Sequence, residues 1–172
     1  IKCRVDNLTQ YVDSEDYDDD DSLDPRSMGN VCHGIMERVV TIDDLPREIR
    51  RAIILGLVPQ GASYVDKLSE RLHDAPAEVR KWFGGGCRVV TERPLLNRHN
   101  DMRRPDRIMI WPDGSADIVD YKFGKRMDRR HDAQVKRYVD YLKDTTRYTA
   151  VRGWLYYVFE DDPASQLVRV AD

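Results

Sequence analysis

Apolar residues recur along this chain with two periods, and the change between them lays out its architecture. Val31, Ile35, Met36, Val39 and Val40 fall at helical spacing, which predicts a helix opening at Ser27-Met28-Gly29-Asn30. Residues 43–55 predict a second, with Asp43 as cap, Leu45, Ile49, Ile53 and Ile54 facing inward, and Gly56 as its stop. From Ser63 to Phe83, Val65, Leu68, Leu72, Val79, Trp82 and Phe83 mark one long helix or two, Pro76 starting the second with Asp74 as cap. Gly84-Gly85-Gly86 breaks the pattern, lacks the flanks of a phosphate loop and reads as a hinge. Cys87 to Leu96 then reads as a strand and residues 97–103, with His99, as a polar connection. Ile108 and Ile110, then Ile118 and Val119, mark two more strands. Helical spacing returns over 128–144, with Val135, Tyr138, Val139 and Leu142 on the buried side. Arg152 to Phe159 is a buried strand, and Gln166 to Val170 a last edge strand.

The two middle strands are joined by Trp111-Pro112-Asp113-Gly114-Ser115, whose Pro-Asp-Gly has the chemistry of a tight turn. A three-residue loop from Pro112 to Gly114 sets Trp111 opposite Ser115. Counted back, that register sets Asp106 opposite Asp120; a bulge beside Gly114 would shift it by one residue. Side chains alternate along a strand, so Lys122 shares the face of Asp120 and Tyr121 points the other way. Two carboxylates and an amine thus gather on one face. Carboxylates this close repel unless a cation lies between them, and such oxygen-rich sites suit Mg²⁺ or Mn²⁺. The alternative is a solvated hairpin with a cross-strand Asp pair and a surface salt bridge.

Charge adds one feature. The net charge of −3 does not advertise nucleic-acid binding. Its distribution is uneven: residues 13–24 are heavily acidic, whereas Arg126, Arg129, Arg130, Lys136 and Arg137 form a basic cluster that either holds a phosphate backbone or solvates the surface. The acidic tract reads as a solvated linker, or as a decoy that fills a basic groove when substrate is absent. The expected division is an N-terminal segment with acidic linker over 1–26 and one domain over 27–172, large enough for a sizeable core. No apolar run spans a bilayer and no signal peptide is present, while Ile1 in place of Met fits a piece of a larger polypeptide. The three scattered cysteines, Cys3, Cys32 and Cys87, form no CxxC pair, which fits a reducing, cytoplasmic setting.

Further candidates lie outside the hairpin. His33 and Glu37 are four apart and share a helix face, where a histidine serves as ligand or as a satisfied structural residue. Gln134 and Tyr138 share a face of the later helix and can point back to the hairpin. Glu92, inside the strand before the hairpin, is either near the aspartates or exposed.

Together these residues resemble the PD-(D/E)XK nucleases, and specifically their RecB-like nuclease domains. Gly29-Asn30-Val31-Cys32-His33-Gly34-Ile35-Met36-Glu37 is similar to that family's G-x-x-x-H-x-x-x-E helix. Pro105-Asp106 matches the first acidic position, Asp120-Tyr121-Lys122 the D-x-K, and Gln134 to Tyr138 the Q-x-x-x-Y helix. The similarity covers residues 28 to about 158, and the acidic tract ahead of Ser27 is no part of the family pattern. The resemblance implies an α/β restriction-endonuclease-like core: a mixed sheet of about four strands flanked by helices in the order αβββαβ, with extra helices before the first strand. It implies that His33, Asp106 and Asp120, with the Tyr121 carbonyl, bind Mg²⁺ or Mn²⁺. Lys122 would orient or deprotonate the attacking water, with Gln134 and Tyr138 steadying it, and Glu37 and Glu92 lying further out. Three cysteines without the spacing exclude the iron–sulfur cluster of some relatives. The implied activity is metal-dependent DNA hydrolysis, as the exonuclease module of a helicase–nuclease in recombination or repair, acting on single strands or ends. Two other expectations stand beside it: a catalytically silent nuclease-fold domain used for DNA binding or assembly, and a nuclease acting on RNA.

Overall fold

The computed structural model describes residues 25–91, 95–96, 102–124, 128–145 and 148–172. The acidic tract 13–24, Cys3, Glu92, His99 and Arg126 lie outside the described residues. Helix α1 spans Pro25–Met36, starting ahead of the expected Ser27. It ends earlier than the apolar pattern suggests, tightening through bonds from Arg38 N–H to Ile35 O and Val39 N–H to Met36 O. Val39 is buried, whereas Val40 is 49% exposed. A short 3₁₀ turn, Ile42–Asp44, leads into α2, Leu45–Ile54.

Asp44, not Asp43, stands at the N-cap of α2, and its carboxylate reaches back to the preceding turn: Asp44 Oδ2 accepts from the N–H groups of Thr41 at 2.9 Å and Val40 at 3.1 Å. Those bonds, the Thr41 one foremost, hold its carboxyl below the usual range. Helix α2 turns Leu45, Glu48 and Ala52 to the core. The expected inward residues Ile53 and Ile54 are instead exposed, because they fall beside that stripe as the helix ends at Gly56, whose φ is 70°. Helices α3, Tyr64–His73, and α4, Ala77–Trp82, settle the next segment as two helices. Pro76 stands at the N-cap of α4, and Asp74 is the C-cap of α3.

Strand β1 is Arg88–Thr91, β2 Leu95–Leu96, β3 Met102–Arg103, β4 Arg107–Ile110 and β5 Ala116–Lys122. The single strand expected from Cys87 to Leu96 is therefore two pieces. Thr91 ends the main-sheet part, and β2 pairs instead with β3, inside the stretch expected to be a connection. Pro94 between them lacks the N–H a continuous ladder needs. Helix α5, Asp128–Thr145, β6, Val151–Tyr157, a short α6, Pro163–Gln166, and β7, Leu167–Ala171, complete the order.

The main sheet runs β1-β4-β5-β6-β7, antiparallel except for the parallel β5–β6 pair. Its five strands are the roughly four that the resemblance implies and the edge strand expected near Gln166 to Val170, here β7. A parallel pair needs a crossover, and α5 supplies it. Helices α1 to α4 pack on one sheet face through Cys32, Met36, Leu68 and Trp82 against Met109, Val119, Tyr121 and Tyr156. Helix α5 covers the other through Tyr138, Val139 and Leu142 against Ile108, Ile118 and Val151, and through Val135 against Leu155 and Tyr157.

Two buried ionic groups fasten the α1–α4 side. Arg107 is fully buried and donates to the carbonyls of Val39 at 2.6 Å, Val40 at 2.6 Å and Trp82 at 2.8 Å, with its guanidinium 4.2 Å from the Phe83 ring centre. The carbonyls just beyond α1 and at the end of α4 are negative dipole ends, so they compensate the cation where a carboxylate would otherwise be needed. Asp117, also fully buried, accepts from both indole N–H groups of Trp111 and Trp154 and from Arg152 Nε at 2.6 Å and its terminal nitrogen at 2.9 Å.

Candidate active site at the end of the central hairpin

The β4–β5 hairpin sets the geometry. Gly114 N–H donates to Trp111 O at 3.0 Å, Trp111 N–H to Ser115 O at 2.9 Å, and Gly114 takes a φ of 81°. Asp113 Oδ1 accepts from Ser115 N–H at 2.9 Å and from its hydroxyl at 2.7 Å, which closes the loop and holds the Asp113 carboxyl low. The ladder pairs Ile110 with Ala116 and Arg107 with Val119. Continued by one step, it sets Asp106 opposite Asp120, as the loop length predicts.

Asp106 lies just before β4. Its Oδ2 accepts from the Tyr121 backbone N–H at 2.7 Å and lies 3.5 Å from His33 Nδ1. Asp120, 3% exposed, shares the α5 side of the sheet with Ile118. Its Oδ2 is 2.7 Å from Lys122 Nζ but accepts no hydrogen bond from any described residue. Lys122 Nζ donates to Gln134 Oε1 at 3.2 Å, Gln134 Nε2 to the Tyr138 hydroxyl at 2.9 Å, and that hydroxyl to Arg104 O at 3.3 Å. An ion pair and three hydrogen bonds therefore link Asp120 through Lys122 to α5 and back to Arg104, two residues before Asp106.

His33 reaches the same place from the opposite layer. Its ring meets Phe123 edge-on, with centres 4.8 Å apart. Loss of water around the ring pulls the imidazole down to about 4, with Asp120 acting upward and Lys122 downward. The ring is neutral near pH 7, the form that can donate a lone pair to a cation. Glu37 follows the end of α1, its N–H bonded to His33 O at 2.9 Å. Among the described residues no three His, Cys, Asp or Glu side chains are already drawn into a metal cage. Instead, Tyr121 N–H and Lys122 are partners of the two aspartates.

A family model for the PD-(D/E)XK nuclease superfamily matches residues 2–171. The chain belongs to that superfamily. None of the curated proteins compared with it is a match. Its mixed five-stranded sheet with helices on both faces is consistent with a restriction-endonuclease-like fold. Asp106, Asp120 and Lys122 stand together at one end of the hairpin. Gln134, Tyr138 and His33 join them. No helix among the described residues is long and apolar enough to cross a membrane.

Sequence reasoning missed Arg107. By holding the backbone just beyond α1 to the residue after Asp106, it sets the His33 helix against the carboxylate strand. A signal was present: Arg107 alternates with Ile108 and precedes Met109 in a strand otherwise fully apolar. A cation at such a position must find buried acceptors.

Proposed function

We propose that this domain is a metal-dependent deoxyribonuclease that hydrolyses phosphodiester bonds. Mg²⁺ or Mn²⁺ would be held by His33, Asp106, Asp120 and the Tyr121 carbonyl. The observation that carries the reading is the meeting, at one strand end, of Asp106, Asp120, Lys122, Gln134 and a neutral His33, contributed by both sheet faces. The donors fit a hard divalent ion: two carboxylates, an unprotonated imidazole, and in Asp120 Oδ2 a buried oxygen that is ion-paired with Lys122 and accepts no hydrogen bond from any described residue. When bound, the ion supplies Lewis acidity at the phosphate and lowers the pKa of water.

The chain's own groups do the rest. Lys122, an ammonium against Asp120, offers positive charge where the phosphate gains negative charge, and can orient the attacking water by donating a hydrogen bond to it. Gln134 fixes the direction of Lys122 by accepting from it, and Tyr138 fixes Gln134 in turn. Asp106 is oriented by Tyr121 N–H, so strand pairing itself aims it.

Exonuclease action on single strands or ends, beside a helicase in recombination or repair, is the finer reading. It is supported by the RecB-like order of the Gly29–Glu37, Pro105-Asp106, Asp120–Lys122 and Gln134–Tyr138 motifs. Digestion of labelled DNA and RNA with Mg²⁺ or Mn²⁺ tests the proposal, comparing wild type with Asp120→Ala and Lys122→Ala, alongside calorimetric metal titration. Expected are DNA cleavage lost in both variants and metal binding lost in Asp120→Ala. Equal degradation by all three proteins defeats the catalytic assignment, and retention of DNA without cleavage points to a silent binding module.

A further inference from the structure

His131 and Tyr157 are buried beside the site and take no part in the chemistry above. His131 Nδ1 and the Tyr157 hydroxyl share a hydrogen bond of 2.8 Å, and their rings lie 5.7 Å apart at 39°. The place of each in the chain is what matters. Tyr157 is the register partner of Lys122 across the parallel β5–β6 pair. His131 precedes Gln134 by three residues, close to one turn of α5. One helix thus bonds to two neighbouring strand residues at the same level: His131 to Tyr157, and Gln134 to Lys122.

We propose that His131 and Tyr157 are a positioning pair for the reaction: their bond fixes where α5 stops along the β5–β6 ends, so that Gln134 meets Lys122. The proposal deepens the hydrolytic reading and rests on it for its effect on turnover. The apolar contacts of Val135, Val139 and Leu142 bring α5 onto the sheet but are non-directional, so they tolerate sliding. A hydrogen bond does not tolerate it. The Lys122–Gln134 distance of 3.2 Å is already at the long end for such a bond, so a small shift of the helix breaks it. The Tyr157 ring packs with Val135 and Leu155, so Tyr157→Phe removes the bond while keeping the packing.

The test uses the full chain as wild type, Tyr157→Phe, His131→Leu and His131→Asn, the last keeping a polar atom near the Nδ1 position. Expected is a fall in kcat for divalent-metal-dependent cleavage of labelled single-stranded DNA of about tenfold in the Phe and Leu variants, with KM held, and recovery of most of it in the Asn variant. The Gln134 side-chain amide signals, read by NMR, should move in Phe and Leu and return in Asn. Melting temperatures identify any variant that fails to fold, and Tyr157→Phe decides the matter if His131→Leu does not fold. In an active enzyme, either readout staying at its wild-type value in Tyr157→Phe overturns the pair. If the wild type cleaves nothing with either metal, the hydrolytic reading fails. The placement of α5 is then decided by the amide signals alone: moved, it stands; unmoved, it falls.

Discussion

Gly153→Ala adds one carbon to the sheet directly beneath α5. A Cβ on Gly153 would lie 2.6 Å from Val135 Cγ1 and 2.7 Å from Val139 Cγ2. Carbon atoms in contact prefer roughly 3.5–4.0 Å, so the helix must lift by about 1 Å. Neither valine can readily rotate away, because a β-branched side chain on a helix has essentially one rotamer. Overpacking of this kind costs about 1–3 kcal/mol. The backbone at Gly153 has no positive φ, so the effect is steric. The lift is the larger consequence, because Gln134 and Tyr138 ride on the same helix and reach Lys122 through bonds of 3.2 and 2.9 Å. Displacement on that scale can lower turnover by about a hundredfold. Urea denaturation measures the first effect and steady-state cleavage of labelled DNA the second. Pairing Gly153→Ala with Val135→Ala should recover part of both losses, although each change alone destabilises. A Gly153→Ala protein with unaltered midpoint and unaltered kcat would refute the close seating of α5 and the dependence of Lys122 upon it.

Arg107→Met leaves the carbonyls of Val39, Val40 and Trp82 without their donor and should cost about 1–3 kcal/mol for each one left buried and unpaired, read by urea denaturation. Arg107→Lys should rescue little, since an ammonium cannot reproduce the planar fork. Asp117→Asn turns an amide toward donors of Trp111, Trp154 or Arg152 and should cost about 1–3 kcal/mol, with altered tryptophan fluorescence; an unchanged melt counts against the network. Arg130 and Arg137 are exposed and flank Gln134 along α5. Replacing either with Ala should weaken DNA binding at every sequence and flatten the salt dependence by about one unit of slope; an unaltered slope would remove α5 from the DNA track.

Local chemistry made part of this legible beforehand. The Asp106–Asp120 pairing follows from counting outward from Pro112-Asp113-Gly114, because turn type and loop length set hairpin register where no bulge intervenes. The buried face of α5 follows from the spacing of Val135, Tyr138, Val139 and Leu142. The cation at Arg107 stands out in an apolar strand, but its partners were opaque because they are backbone carbonyls, which have no sequence signature. His131 was opaque because its partner lies 26 positions away on another strand. Ile53 and Ile54 misled for a different reason: apolar spacing near a helix end does not say which neighbouring stripe the core will cover. Here Glu48 and Ala52 took that place.

Strand β5 also contains its own control for the functional reading. Asp117 and Asp120 are both buried, and their odd spacing puts them on opposite faces of the sheet. Burying a carboxylate is costly unless hydrogen bonds replace the lost water. At Asp117 the fold supplies them in full, from two indoles and a guanidinium. At Asp120, Oδ2 has an ion pair to Lys122 and accepts no hydrogen bond from any described residue, though neighbouring Ile118 shows that an apolar side chain packs well on that face. A position needed only for stability would be saturated like Asp117 or replaced by something like Ile118. Buried polar groups left under-satisfied are where a chain departs from its own packing rules, and such departures concentrate at sites of chemistry. The under-satisfied oxygen lies at the end of the hairpin where His33 meets Asp106 and where α5 delivers Gln134 to Lys122. Of the two buried carboxylates of β5, Asp120 is the one whose burial the described hydrogen bonds leave less compensated, which is what the proposed metal role would explain.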